Sequence, residues 1–300
     1  MKALIAIPGT ETPTLADLPE PTPAPGELLI EVAAAAVNPA DPFVLSGAAH
    51  AAFGLSGLVG LGYDLAGVVH DVGEGTPKEW LGKRVAALHD DLSAATRGQA
   101  ESVVVPATAA AEVPDELDLV TASTVALCGL TAVQGLALLA APAGRTLLVT
   151  GAAGAVGGYA VTLALAAGWE VVGLARPSDA EFLANLGARH LTELPATATF
   201  DAVFDAAALQ ENALAAVRDG GSFLGVLPPW PVATQRDIKV QTILVQADGA
   251  TLDDLLRQHI DGRLRPRVAG TVPLHEAARA YEALVAGGTR GRHVILFGND

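Results

Sequence analysis

The chain has 300 residues, of which 51% are apolar, with a formal net charge of −15 and a pI near 4.7. That length holds two cores, and an acidic field without any basic cluster argues against nucleic acid and anionic membrane surfaces as partners. A single cysteine, Cys128, excludes an internal disulfide; the amino-terminal run is too short for a signal peptide, and no stretch reaches about 18 apolar residues free of glycine or charge, so the expected location is the cytoplasm.

In chain order, residues 1–7 and 28–37 read as strands on either side of a proline-rich stretch at 19–25. Residues 63–72 (YDLAGVVHDV) continue the strand pattern to a turn at Gly73 and Gly75, and 84–88 and 102–105 add short strands. Pro106 and Pro114 bound a linker before a helical segment at 118–139. From there strands and helices alternate. Residues 146–150 (TLLVT) form an apolar strand, 151–157 (GAAGAVG) a turn, 159–167 a helix closed by Gly168, and 170–174 a second strand. Ser178 and Glu181 have capping-box spacing and open a helix through Leu186, with Gly187 at its stop position. Strands at 200–204 and 222–227 flank a helix at 211–217, and 237–245 reads as an edge strand able to pair across a dimer. Strands at 265–271 and 293–297, around a helix at 274–286, return to the first domain. The pattern predicts an α/β chain: a β-rich domain at 1–120 and 265–300, and a doubly wound parallel sheet at 121–264.

A strand, a glycine turn and a helix amino terminus, in that order, suit a dinucleotide pyrophosphate. Ala152 and Gly154 let the backbone turn tightly and approach a phosphate, and Gly157 lets the helix pack close to the sheet. Amides from Ala155 onward face the anion, with Ala153 and Val156 in the same turn. With 32 glycines such a run also arises by chance, and the βαβ spacing around it is what gives it weight. An acid at the end of the second strand would bind a ribose 2′-hydroxyl; here that strand runs out as Leu174, Ala175, Arg176. The planar fork of Arg176 suits a 2′-phosphate, with Ser178 beside it as a further cofactor-binding candidate, so NADPH is expected over NADH. The other reading of Arg176 is a solvated loop charge, and Asp179 close by weighs against phosphate.

Six segments carry a wider similarity: PGELLIEVAAAAVNPAD (25–41), GYDLAGVVHDVGEG (62–75), GKRVAAL (82–88), ALCGLTAVQGL (126–136), VTGAAGAVGGYAV (149–161) and GRLRPRV (262–268). Together, over nearly the whole chain, they resemble the medium-chain dehydrogenase/reductase superfamily in its zinc-independent quinone oxidoreductase branch, which includes zeta-crystallin-like proteins. The resemblance implies a GroES-like substrate domain, a Rossmann domain inserted before its last strands, an active cleft between them and often a homodimer. It implies no metal, because Asn38 stands where zinc relatives carry a cysteine ligand, and Tyr63 and Asp64 where they carry a His-Glu pair. One cysteine cannot build a four-thiolate structural site either.

The same resemblance nominates Asn38, Asp41 and Tyr63 as catalytic candidates, with Tyr63 as a proton donor. It directs Thr131 toward the cofactor, sets Gly225 and Leu227 beside the nicotinamide, and leaves Arg292 either on cofactor phosphates or in solvent. Each catalytic candidate also has a plainer reading: Asn38 shapes the turn before Pro39, Asp41 caps the following helix, and Tyr63 is a core aromatic with a bonded hydroxyl. Phe43 and Leu45 stand where many quinone reductases carry Tyr and Arg, which implies a more apolar pocket. No tyrosine lies in the 48–50 stretch, where enoyl-thioester reductases of the superfamily place one. The expected activity is zinc-independent hydride transfer from NADPH to a quinone or another α,β-unsaturated carbonyl. An enoyl reductase on a secondary-metabolite intermediate and a redox-silent NADPH-binding sensor or structural protein are the alternatives.

Overall fold

Three strands need the same partner, and the run ELLIEVAAAAV is long enough to serve them all. The computed structural model describes residues 1–298 except 8, 11, 140 and 143. It opens with Lys2–Ala6 (β1) and Thr14–Asp17 (β2), paired antiparallel with Lys2 opposite Asp17. Glu27–Val37 (β3) follows, then two short helices, Asp41–Leu45 (α1) and Ala48–Phe53 (α2), and Val59–Gly60 (β4), which closes on β1. Asp64–Val72 (β5), Arg84–Leu88 (β6), Ser102–Pro106 (β7) and Ala110–Glu112 (β8) complete this part. One edge of β3 bonds to β5; the other bonds to β7 over residues 27–31 and to the last strand of the chain over 34–37. Leu28, Ile30 and Val32 of β3 meet Leu65, Val69, Val85, Val103 and Val105 in one buried cluster, the burial that makes this sheet worth forming.

Leu119–Ala122 (α3) and Ala126–Leu138 (α4) lead into the second unit, Cys128–Val245. Here Thr146–Thr150 (β9), Ala155–Ala166 (α5), Glu170–Leu174 (β10), Ala180–Leu186 (α6), Arg189–Leu191 (β11), Phe200–Asp205 (β12), Glu211–Leu214 (α7), Val217–Gly225 (β13) and Lys239–Thr242 (β14) alternate. Every pairing is parallel and the strand order is β11-β10-β9-β12-β13-β14. The order reverses direction between β9 and β12, which creates a switch point at their carboxyl ends. Residues 147–149 of β9 and 202–204 of β12 are fully buried, as strands covered by helices on both faces must be. Gly135 lets α4 approach this sheet, since a β-carbon there would stand 2.8 Å from Leu224 and 2.9 Å from Phe204.

The chain then returns to the first unit, which comprises Met1–Leu127 and Gln246–Asp300. Gly249–Ile260 (α8) packs on β8, Val268–Pro273 (β15) pairs with Arg292–Leu296 (β16), Ala277–Ala286 (α9) lies between them in sequence, and β16 joins β3 antiparallel.

Several expectations need adjustment. The second unit runs from 128 to 245 rather than 121 to 264, because α8, unread in the sequence, belongs to the first unit. Gly249 permits this: a β-carbon there would meet the Ala110 carbonyl oxygen at 2.3 Å. The expected linker between Pro106 and Pro114 contains β8. Ser178 does not cap α6; Asp179 occupies that position, without a side-chain cap hydrogen bond. The helix expected to run to Val217 stops at Leu214, because Val217 pairs with Phe200 at the start of β13. The helical stretch Leu119–Leu138 is long and apolar enough to cross a membrane, with mean hydropathy 1.6. Two thirds of it (67%) is buried within the protein, as in a core helix.

Candidate functional site

In the second unit the glycine-rich segment makes the turn that follows β9. Gly151 carries the demanding conformation, at φ +58°, which an L side chain rarely adopts. Gly154 is the N-cap of α5 in extended backbone, and its N–H returns to the Gly151 carbonyl at 2.7 Å. Gly157 seats the helix against the turn: a β-carbon on it would stand 2.2 Å from the Gly151 carbonyl oxygen. Ala152 is corrected. It is fully buried, its N–H bonds Leu174 at 3.1 Å, and its methyl faces Gly173 of β10, so it packs the turn onto the sheet. The amino terminus of α5, with Ala155 and Val156 half-buried in its first turn, is the anion-binding end of a twelve-residue helix.

Beside it, at the switch point, Asp205 ends β12 fully buried. It accepts from Thr150 Oγ1 at 2.6 Å, Leu209 N–H at 3.0 Å and Gln210 N–H at 2.7 Å, while Thr150 Oγ1 accepts from Ala207 N–H at 3.0 Å. These bonds hold a loop in which Ala208 and Gln210 both sit at φ +55°. Arg176 and Ser178 are exposed just beyond β10, Thr131 is buried in α4, Gly225 ends β13 buried, and Leu227 lies half-buried two residues later. The glycine turn and the amides at the start of α5 fit the pyrophosphate of a nicotinamide dinucleotide.

The three catalytic candidates come together in the first unit, around two aspartates with no exposure to solvent. The Asn38 side-chain amide donates to Asp64 Oδ2 at 2.8 Å, and the other oxygen, Oδ1, accepts the Leu127 N–H at 2.6 Å. Asp41 is the first residue of α1 rather than its cap, which is Ala40. Its oxygens accept the N–H groups of Asn38 at 2.7 Å and Gly62 at 3.1 Å, so it ties the turn after β3 to the segment before β5. Burial pushes Asp41 up to about 7, against the pull of the Asn38 N–H and the Arg97 charge. Burial likewise pushes Asp64 up to about 6, opposed by the Leu127 N–H, the Asn38 amide and the Arg292 charge.

Tyr63 is half-buried, with its phenol raised by burial, and the Arg97 guanidinium lies 4.2 Å over its ring. Deeper, the Tyr281 hydroxyl donates to Gln99 Oε1 at 2.7 Å. Arg292 is corrected as well: it is buried at the head of β16, not in solvent, and its charge bears on Asp64. Asp64 and Asp205 were missed as site residues although both end or begin strands read in the sequence; a buried acid at such a junction is the signal they offered. Arg97 gave none, being a single arginine in an irregular loop.

Residues 24–115 match the alcohol dehydrogenase GroES-like domain family, and residues 181–295 the zinc-binding dehydrogenase family. A zinc-type alcohol dehydrogenase-like protein of Schizosaccharomyces pombe is 31% identical over 264 residues, covering 77% of this chain and 74% of that one. The chain belongs to the medium-chain dehydrogenase/reductase superfamily, in its quinone oxidoreductase-like branch. A chloroplast envelope quinone oxidoreductase homolog of Arabidopsis thaliana is 25% identical over 311 residues, covering 93% and 92% of the two chains. A chloroplastic NADPH-dependent alkenal/one oxidoreductase of the same plant is 28% identical over 289 residues, covering 90% and 72%. As a medium-chain dehydrogenase/reductase the protein is an oxidoreductase of a family that binds a nicotinamide cofactor.

The zinc of the family name does not fit these residues. Zinc wants thiolate, imidazole or carboxylate donors converging on one point. At the corresponding positions Asn38 and Asp64 are bonded to each other, both Asp64 oxygens are occupied, and the neighbour is Tyr63. Among the described residues no group of three or more His, Cys, Asp or Glu could hold a metal ion.

Proposed function

We propose that this protein is an NADPH-dependent, zinc-independent reductase of quinones or other α,β-unsaturated carbonyls. The observation that carries the reading is the Asn38-Asp64-Leu127 chain of hydrogen bonds, which fills the family's metal position with a locked amide and carboxylate. A site so built cannot polarise an alcohol through a metal, whereas reduction of a conjugated acceptor asks only for placement and a proton. Bound NADPH would supply the hydride. Asn38, held by Asp64, presents a carboxamide of fixed orientation to acceptor or cofactor. Tyr63 offers its phenol as the proton source, and Asp41 keeps the Asn38 turn in register with the segment that carries Tyr63. Gly154, Ala155 and the rest of the α5 turn take the pyrophosphate. Arg176 and Ser178 take the 2′-phosphate, supported by the absence of an acid at the end of β10 and by the NADPH dependence in the name of the alkenal/one relative.

We further propose a cytoplasmic homodimer formed through β14, the terminal strand of its sheet, just beyond which Leu244 is 58% exposed. The deciding experiment follows NADPH and NADH absorbance with purified, metal-analysed protein across a panel of quinones and enones. Acceptor-dependent NADPH oxidation by zinc-free protein supports the reading. Activity that tracks added zinc and disappears with chelator overturns it, and tight NADPH binding with no turnover on any acceptor favours a redox-silent binding protein.

A further inference from the structure

Among the described residues, Arg97 is the largest side chain with no exposure to solvent. A guanidinium carries five donors and stays charged, so full burial demands partners. Its Nη2 donates to the His89 carbonyl at 3.1 Å, while Nε and Nη1 have no hydrogen-bond partner among the described residues. What the guanidinium does have is a ring face, with its central carbon 4.2 Å from the centroid of Tyr63. A buried charge left this short of hydrogen bonds is costly. It is retained beside the one catalytic candidate whose chemistry a positive charge would improve.

We propose that Arg97 is the positioning residue for Tyr63, pinning the phenol ring by its face and biasing it toward release of its proton. The backbone supports the pairing: His89, whose carbonyl anchors Arg97, donates its own N–H to the Tyr63 carbonyl at 2.7 Å, so stacked cation and ring hang from one strand junction. The charged and titratable groups facing Tyr63 are Arg97, which lowers its phenol, and Asp41, which raises it; Tyr281 lies beside them and is itself raised by burial and by Tyr63. His89, driven down to about 4 by burial and by Arg97, stays neutral and adds no competing cation at working pH. Among the described residues, Arg97 is therefore the only group acting on Tyr63 in the direction of ionisation, and it does so from a position solvent does not screen. The inference concerns Tyr63 itself, and it rests on the proposed reductase function only for its kinetic consequence.

The chain has three tyrosines, Tyr63, Tyr159 and Tyr281. Biosynthetic 3-fluorotyrosine, whose phenol titrates lower than that of tyrosine, gives three ¹⁹F resonances assignable with Tyr159→Phe and Tyr281→Phe. Arg97→Met should move the Tyr63 titration upward by at least about one unit, a tenfold loss of phenolate at a given pH. Arg97→Lys, which keeps the charge, should leave it close to the parent. A Tyr63 titration unchanged in Arg97→Met overturns the proposal. So does an upward shift in Arg97→Lys as large as that expected for the neutral variant, and this second measurement decides the matter even where Arg97→Met does not fold. Where turnover is observed, the pH profile of kcat should shift with the phenol titration. A shifted titration with an unmoved profile leaves the Arg97 inference standing and removes Tyr63 as the proton donor.

Discussion

Gly157→Ala puts one methyl where the structure has no room. The new β-carbon would sit 2.2 Å from the Gly151 carbonyl oxygen, 2.8 Å from its carbon and 2.9 Å from Ala152 Cα, so the turn and the first helical turn of α5 must separate by about 1 Å to restore ordinary contact. The obstacles are backbone atoms, and no side chain can swing aside. Overpacking of this kind costs about 1–3 kcal/mol, against a gain of about 1 kcal/mol from replacing glycine by alanine in a helix. Net destabilisation of about 0–2 kcal/mol is expected in urea unfolding. The effect on cofactor should be larger than on folding, because in the proposed reading α5 carries the amides that would meet the pyrophosphate. Loss of one charge-assisted hydrogen bond, worth about 1.5–3 kcal/mol, weakens NADPH by about 10- to 100-fold in a fluorescence titration. Gly154→Ala is the companion: φ is −73°, the added methyl meets only the Gly151 oxygen at 3.0 Å, and its stability should stay close to the parent. Should Gly157→Ala bind NADPH within twofold of the parent and unfold at the same urea concentration, the close helix-turn approach would have no role in cofactor binding.

Arg176→Ala should raise the Kd for NADPH by about 10- to 100-fold and leave NADH unchanged, since only the former carries the 2′-phosphate; equal affinities before and after would remove Arg176 from the cofactor. Asp205→Ala strands three donors, the buried Thr150 hydroxyl and the part-buried Leu209 and Gln210 N–H groups, and should cost about 2–4 kcal/mol in urea unfolding; a loss below about 1 kcal/mol would show that the loop holds its positive-φ residues unaided. His259 is driven down to about 4 by burial, so below its ordinary value of 6.5 the unfolded chain binds a proton that the native state refuses. Stability from this group is therefore present above 6.5 and lost as pH falls toward 4. Asp41 and Asp64, raised to about 7 and about 6 by burial, act in the opposite sense: their contribution is present below about 4 and lost as pH rises through 6 to 7. His259→Gln removes one side of this opposition, so the stability gained between pH 5 and 6.5 should fall by about 1–2 kcal/mol relative to the parent. An unchanged pH dependence would mean that His259 titrates normally in the native state.

Much of the second unit could be read from one dimension because its signals are local. Residues 146–150 and 170–174 read as strands from their residues alone, since a strand buried on both faces is a short apolar run and the glycine turn between strand and helix punctuates it. The switch point follows from strand order alone, and with it the place where a cofactor would lie. Asn38, Asp41 and Tyr63 were nominated from family-like segments, and they do gather in one place. The sequence could not say which chemistry holds them there. Asp64 is 26 and 63 residues from the Asn38 and Leu127 groups it binds, and Asp41 is 21 from Gly62; no periodicity encodes pairings of that range. Ala152 reads like a phosphate-turn residue until the sheet it packs against is present, and α8 goes unread until β8 supplies the surface it covers. Arg97 is the clearest case. In sequence it is one charged residue of an irregular loop, the kind that ordinarily stands in water. Only the folded structure, which buries its side chain against the His89 carbonyl and the Tyr63 ring, strips that water away and leaves a permanent charge against the face of Tyr63.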